Sequence, residues 1–138
     1  MDAYIFQAAL LCPTCAREVM GSVPIPPQMD PLNEHTWDSD DYPKGPYANG
    51  GGEADTPQHC DHCGVFLEND LTGDGEEYVM DALSPYVNQL RSGGYAINSK
   101  NISYMASISV DLNHQVLAEW AEYYDWIWEN HPITEDIE

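Results

Sequence analysis

Cys12-Pro13-Thr14-Cys15 and Cys60-Asp61-His62-Cys63 are the stretches on which the reading of this chain turns, and between them they hold all four of its cysteines. A C-x-x-C lets one tight turn present two thiolates to a single ion. Two such pairs complete a tetrahedral shell of four sulfurs, the donor set of closed structural zinc sites, whereas catalytic zinc keeps one position for water. With no fifth ligand candidate, the spacing predicts a closed site over Cys12, Cys15, Cys60 and Cys63 with zinc as cofactor. Free buried thiols or a disulfide are the alternative. His59 and His62 flank the second pair and read as exposed residues outside the ligand set.

Outward from the cysteines, the chain is short and acidic. Its 138 residues suffice for one domain, read as a single zinc-stapled unit over 1–138. Hydrophobic residues make up 43%, too many for a disordered chain. Charge is the anomaly: 24 Asp and Glu against 4 Lys and Arg give a formal charge of -20. Most carboxylates therefore lack a basic side chain to pair with. They repel one another, bind cations, or meet a basic partner; the plainer alternative is that they keep the protein soluble. Direct nucleic-acid binding is disfavoured, because phosphate contacts need clustered Lys and Arg. No apolar run approaches the ~20 residues of a membrane helix, and 1–11 has no basic region of the kind that opens a secretion signal. A cytoplasmic, reducing location is expected, consistent with cysteines used for metal.

The expected fold class is α+β: a small antiparallel β unit clasped by the four-cysteine site, a middle helix, and a long C-terminal amphipathic helix. Residues 3–11 are a largely apolar run that predicts a buried strand, or a short helix. Pro13 favours a turn at the first pair, and 16–20 predicts one helical turn. Residues 21–58 carry most of the prolines, Gly50-Gly51-Gly52 and Asp38-Ser39-Asp40-Asp41, and read as an irregular acidic excursion pinned by Trp37, Tyr42 and Tyr47. Val65 to Leu67 predicts a short strand beside the first.

Residues 76–92 predict a helix with Tyr78, Val79, Ala82, Leu83, Tyr86, Val87 and Leu90 on one face, either restarted or kinked at Ser84-Pro85. Ile102, Tyr104, Ala106, Ile108 and Val110 alternate with polar residues and Met105. That pattern predicts a strand, with an N-terminal extension of the last helix as the alternative. The last helix, 111–130, places Leu112, Val116, Leu117, Trp120, Tyr123, Tyr124, Ile127 and Trp128 on a broad apolar face. Asp70, Thr72, Asp74, Gly75 and Asp81 partly match a calcium loop, but no entering helix precedes them, so a capped turn is expected. No activated nucleophile or phosphate-binding glycine loop is evident, and a non-enzymatic protein is expected.

The cysteine segments, with Gly64 following the second pair, resemble zinc-ribbon and rubredoxin-type proteins. That resemblance implies two knuckles on β-hairpins around zinc, or around iron in a rubredoxin-like electron carrier. The stretch 60–79 looks like small uncharacterised proteins of bacteria and their phages, which implies an origin rather than an activity.

The candidate partner-binding residues are Glu119, Glu122, Asp125, Trp126 and Glu129. No Lys or Arg occurs from Asn101 onward, so helical i, i+4 ion pairing is absent there. On one helix these carboxylates would recur about every 4.5–6 Å, of the order of phosphate spacing on a DNA strand, about 3.4 Å of rise per nucleotide. Trp126 is expected exposed among them as an interface anchor. The favoured function is an acidic zinc-binding interaction protein that covers a basic surface of a partner protein. A nucleic-acid-binding protein is one such partner, and the extreme form of the reading is a phage-type nucleic-acid-mimic inhibitor. A zinc-ribbon structural or adaptor module without mimicry is the alternative.

Overall fold

The computed structural model describes residues 1–109 and 114–130. The chain divides into two compact units, Met1–Asp70 and Leu71–Glu138. The class is α+β, with a three-stranded antiparallel sheet in the first unit and four of the five described α-helices in the second.

In the first unit the apolar opening run is two strands, not one. β1 (Ala3–Phe6) turns back into β2 (Ala9–Leu11), with Phe6 opposite Ala9. The two-residue connection, Gln7 and Ala8, lies in the left-handed region at φ 49° and 64°, as the twist of a tight hairpin demands. Nothing in Gln-Ala signals such a turn. β2 runs into α1 (Pro13–Met20), longer than the single turn expected.

The third strand comes from the acidic excursion: β3 (Lys44–Tyr47) pairs antiparallel with β1, giving the order β2-β1-β3. The place expected for Val65 to Leu67 beside the first strand is thus taken by Lys44–Tyr47. The excursion is anchored as the aromatics implied, since Trp37 and Tyr42 are buried and Tyr47 half-buried. Trp37 also donates Nε1–H to the Pro43 carbonyl at 3.4 Å. Gly50 has φ 63°, and a Cβ there would lie 2.6 Å from the Leu67 carbonyl oxygen. That glycine lets two segments of the unit touch through backbone. Buried Asn69 joins another pair of segments: its Oδ1 accepts from the Gln58 amide at 2.7 Å, and its Nδ2 donates to the Thr56 and Asp70 carbonyls. The buried cluster next to the cysteines is Ala3, Leu11, Ala16 and Leu67 with Cys12, Cys15 and Cys60, and Trp37, Tyr42 and Phe66 are buried elsewhere in the unit.

In the second unit, α2 (Gly73–Ser92) is capped by Thr72, whose Oγ1 accepts from the Gly75 amide at 3.1 Å. The partial calcium-loop match, expected to be a capped turn before a helix at 76–92, is the capped start of a helix that begins at Gly73. Pro85 neither ends nor restarts the helix. Proline has no N–H to give the Asp81 carbonyl one turn back, and Ser84 Oγ donates to that carbonyl instead at 2.9 Å. Val79, Leu83, Tyr86, Val87 and Leu90 are buried along its inner face.

The predicted strand at 102–110 is instead a helix, α3 (Ser99–Ser107). Asn98 caps it through Oδ1 to the Asn101 amide at 2.9 Å. Its buried residues are Ile102 and Ala106, spaced i, i+4, while Tyr104 and Ile108 are exposed. Every second residue apolar contains every fourth, and the cap decides for the helix; Val110 lies outside the described residues. The last helix is broken in two, α4 (His114–Tyr123) and α5 (Trp126–Asn130). Trp120, Ala121, Tyr124, Ile127 and Trp128 are buried across the break. α3 packs on both α4 and α2. No described helix is long and apolar enough to cross a membrane.

Candidate metal centre

The two cysteine pairs sit on different local structures. The first is not on a hairpin knuckle but at a strand-to-helix junction. Cys12 follows β2 in extended geometry and is the N-cap of α1, its Sγ accepting from the Cys15 amide at 3.4 Å. Pro13 occupies the first helical position, where no N–H is needed and its φ is already helical. Both thiols therefore lie at the amino end of α1.

The second pair is a knuckle turn. The Gly64 amide donates to the Cys60 carbonyl and the Cys60 amide to the Val65 carbonyl, both at 2.8 Å, with Gly64 at φ 81°. His59 and Phe66 form a β-bridge behind it, and Leu67 N–H reaches the Gln58 carbonyl. Asp61 fixes this turn to the sheet. Its amide donates to the Leu10 carbonyl and its Oδ2 accepts from the Leu10 amide, both at 2.8 Å. Asp61 thus brings the second pair to the end of β2, where the first pair begins. The sequence holds an Asp between the two cysteines but no sign of its partner, 51 residues away.

The four Sγ atoms lie within 4.8 Å of one another. Cys12 Sγ and Cys63 Sγ are 3.7 Å apart. An ion with metal–sulfur bonds of ~2.3 Å in a tetrahedron sets its sulfurs about 3.8 Å apart, whereas a disulfide needs about 2.05 Å. All four cysteines are free, with Cys12, Cys15 and Cys60 buried and Cys63 exposed. The group can hold a metal ion, and among the described residues it is the one cluster of His, Cys, Asp and Glu that can.

Its electrostatics call for a cation. Burial pushes the Cys15 thiol far above its ordinary value, reinforced by hydrogen bonds with the neighbouring thiols. Burial also acts to raise Cys60, but backbone N–H groups of Cys12, Cys63 and His62 outweigh it and bring the thiol down to about 6. Cys63 is raised: the Val65 amide favours its thiolate, but burial and the Cys60 and Cys12 thiols prevail. One thiolate is stable in this setting by itself, and four require a positive ion between them.

His62 is exposed, as expected, but His59 is half-buried and stacks on Phe66 with ring centroids 5.3 Å apart. Neither histidine belongs to the sulfur cluster.

The acidic candidates are not on one helix. Glu119 and Glu122 are exposed on α4, Asp125 is exposed in the break after it, and the side chain of Glu129 on α5 lies outside the described residues. Trp126 is half-buried rather than exposed. Its Nε1–H donates to Glu76 Oε2 at 3.3 Å, and its ring meets Tyr124 edge-on at 5.3 Å. An indole held this way is partly committed within its own unit. No protein-family model matches the sequence, and comparisons with curated proteins and with solved structures give no match.

Proposed function

We propose that this chain is a non-enzymatic, zinc-binding interaction protein, whose first unit is clamped by zinc on Cys12, Cys15, Cys60 and Cys63 and whose acidic surface covers a basic surface of a partner protein. The observation that carries the zinc reading is the donor set: four sulfurs within 4.8 Å, with one edge at the tetrahedral spacing and no position left for a reacting ligand. Zinc on four thiolates supplies cross-linking and charge neutralisation; redox chemistry would need iron. Elemental analysis tests this directly. One zinc per colourless chain is expected, and a red iron-containing protein returns the electron-carrier reading.

The partner reading rests on where the charge lies. Every described Asp and Glu is exposed except Glu68 and Glu76, which are half-buried. The charge of those described acids, within a chain of formal charge -20, thus lies at the surface, where it would speed association with a basic protein and make binding salt-dependent. Glu119, Glu122, Asp125, Trp126 and Glu129 are the residues assigned to that contact. A nucleic-acid-binding protein is the natural target, in the manner of phage-encoded mimics. Capture from a host lysate at low salt, eluted by a salt ramp, checks it: a basic partner is retained by the wild type and lost by E119Q/E122Q/D125N/E129Q. If no basic protein is retained at low salt, the charge serves solubility and the chain is a zinc-stapled adaptor. The break between α4 and α5 favours that second reading over strict mimicry, because it interrupts the regular carboxylate row.

A further inference from the structure

The four cysteines of the metal centre are not equally placed. Cys12, Cys15 and Cys60 are buried, while Cys63 is exposed. An opening of about 460 Å³ in the first unit borders the cluster, and Cys63, Cys12 and Cys15 line it. Cys12 Sγ lies 3.7 Å from Cys63 Sγ, so the two sulfurs touch. The cluster therefore has one cysteine that a solute reaches directly, backed by a second sulfur in contact with it.

A cysteine reacts as its thiolate, and where several are thiolates, access decides which reacts first. Ligands of a metal ion are all held deprotonated, so exposure singles out Cys63. The surroundings select the reagent. Met1, Pro13 and Val65 give the opening an apolar wall, and Glu18 adds a carboxylate. The whole chain carries a formal charge of -20. Anionic oxidants are repelled by that field, and a small neutral peroxide is not.

We propose that Cys63 is an oxidation site for hydrogen peroxide, with Cys12 as the thiolate that resolves it, so that the centre exchanges its metal clasp for a Cys12–Cys63 disulfide. The inference rests on the zinc reading above. The Cys63 thiolate attacks one peroxide oxygen: an S–O bond forms, the O–O bond breaks and hydroxide leaves, giving a sulfenic acid. The Cys12 thiolate then attacks the Cys63 sulfur: an S–S bond forms, the S–O bond breaks and a second hydroxide leaves. Two protons from solvent convert the hydroxides to water. Sulfur supplies both electrons, and zinc keeps its oxidation state. Cys15 and Cys60 remain as two thiols, short of a closed zinc shell, and the ion is released. The disulfide joins residues 51 apart in sequence, in the same two segments that the ion would join, so the loop between them stays closed after the metal leaves.

The test treats the full-length zinc-loaded chain with stoichiometric hydrogen peroxide. A chromogenic chelator follows zinc release, and tandem mass spectrometry of the digested protein maps the disulfide. One zinc should be released for each Cys12–Cys63 disulfide formed, and dithiothreitol with added zinc should restore the starting protein. C63H keeps a zinc ligand at the exposed position without a thiolate, and its zinc should be released at least about tenfold more slowly. The wild-type map decides by itself if C63H folds poorly. Zinc retained under peroxide, a disulfide between any other pair, or a sulfinic acid on Cys63 in place of the disulfide overturns the assignment, as does a zinc-loaded C63H that releases its metal as fast as wild type. A chain that carries no zinc before peroxide is added overturns the zinc reading and this inference together, whereas the other outcomes leave the zinc reading standing.

Discussion

Replacing Cys60 by Ser should unfold the first unit. Cys60 is 3% exposed, and a serine hydroxyl there neither ionises to bind zinc nor finds a ready acceptor. An ion held by the four thiolates would bridge Cys15 to Cys60 across 44 intervening residues. Treated as a cross-link, closing a loop of that length constrains the unfolded chain by about 4 kcal/mol. The buried unsatisfied hydroxyl adds about 1–3 kcal/mol. Against this stands the apolar cluster around the cysteines, whose fully buried large aliphatic side chains are Leu11 and Leu67, worth about 1.5–3 kcal/mol each on burial. On the proposed zinc reading, this part of the unit depends on its metal. At about 4–8 °C per kcal/mol for a domain of this size, C60S should lower the midpoint of the first unit by at least about 15 °C. Zinc per chain, near-ultraviolet circular dichroism and thermal melts read this out, and chelation of the wild type should reproduce the loss. A C60S protein that keeps one zinc and melts within about 2 °C of wild type would refute the argument.

Further expectations concern single groups. The folded site lowers Cys60 from 9.0 to about 6, so its thiolate contribution is complete above about pH 9 and lost as pH falls through about 6. Zinc transfer to a chromogenic chelator should therefore accelerate below about pH 6; a flat profile from about pH 8 to 4 contradicts this. N69A strands part-buried backbone groups of Gln58 and Thr56 and should cost about 1–3 kcal/mol in urea unfolding, with a change below about 0.5 counting against it. P85A restores a helix hydrogen bond at an exposed position of α2. It should raise the stability of the second unit by about 1 kcal/mol, and a lower melting point would show that proline is required there.

The metal group was legible because C-x-x-C spacing is local: each pair is one turn, and four cysteines leave one way to fill a shell. How the pairs meet was not legible, since that depends on Asp61 reaching Leu10 and on a hairpin turned by Gln7 and Ala8, neither a residue that announces positive φ. β3 was hidden for a related reason. Lys44-Gly45-Pro46-Tyr47 has no strand propensity to speak of, and it pairs because β1 offers an open edge. Along helix α2 the face was read correctly at Val79, Leu83, Tyr86, Val87 and Leu90, while Tyr78 is exposed and Ala82 half-buried; at Pro85 the Ser84 hydroxyl takes up the Asp81 carbonyl that proline cannot serve. Asn98 before Ser99 was the overlooked signal for α3, a cap that outweighs the alternation at Ile102, Tyr104, Ala106 and Ile108.

The break at Tyr124 and Asp125 bears most on function. A phosphate-like row requires one straight helix, since only a continuous helix keeps carboxylates three and four apart on a single face. Here Glu119 and Glu122 share one turn of α4, Asp125 leaves the helix, and Trp126 turns its indole to Glu76. Buried Tyr124 and Ile127 explain why the chain accepts the break: their rings and methyls enter the core on either side of it. On the proposed partner reading, recognition through this region would follow general charge complementarity and not the matching of a strand's periodicity. The two can be separated. If periodicity governs, E119Q/E122Q alone abolishes capture and neutralising Asp38, Asp40 and Asp41 leaves it intact. If charge governs, both sets weaken capture in proportion to the charges removed, and the salt dependence falls with each.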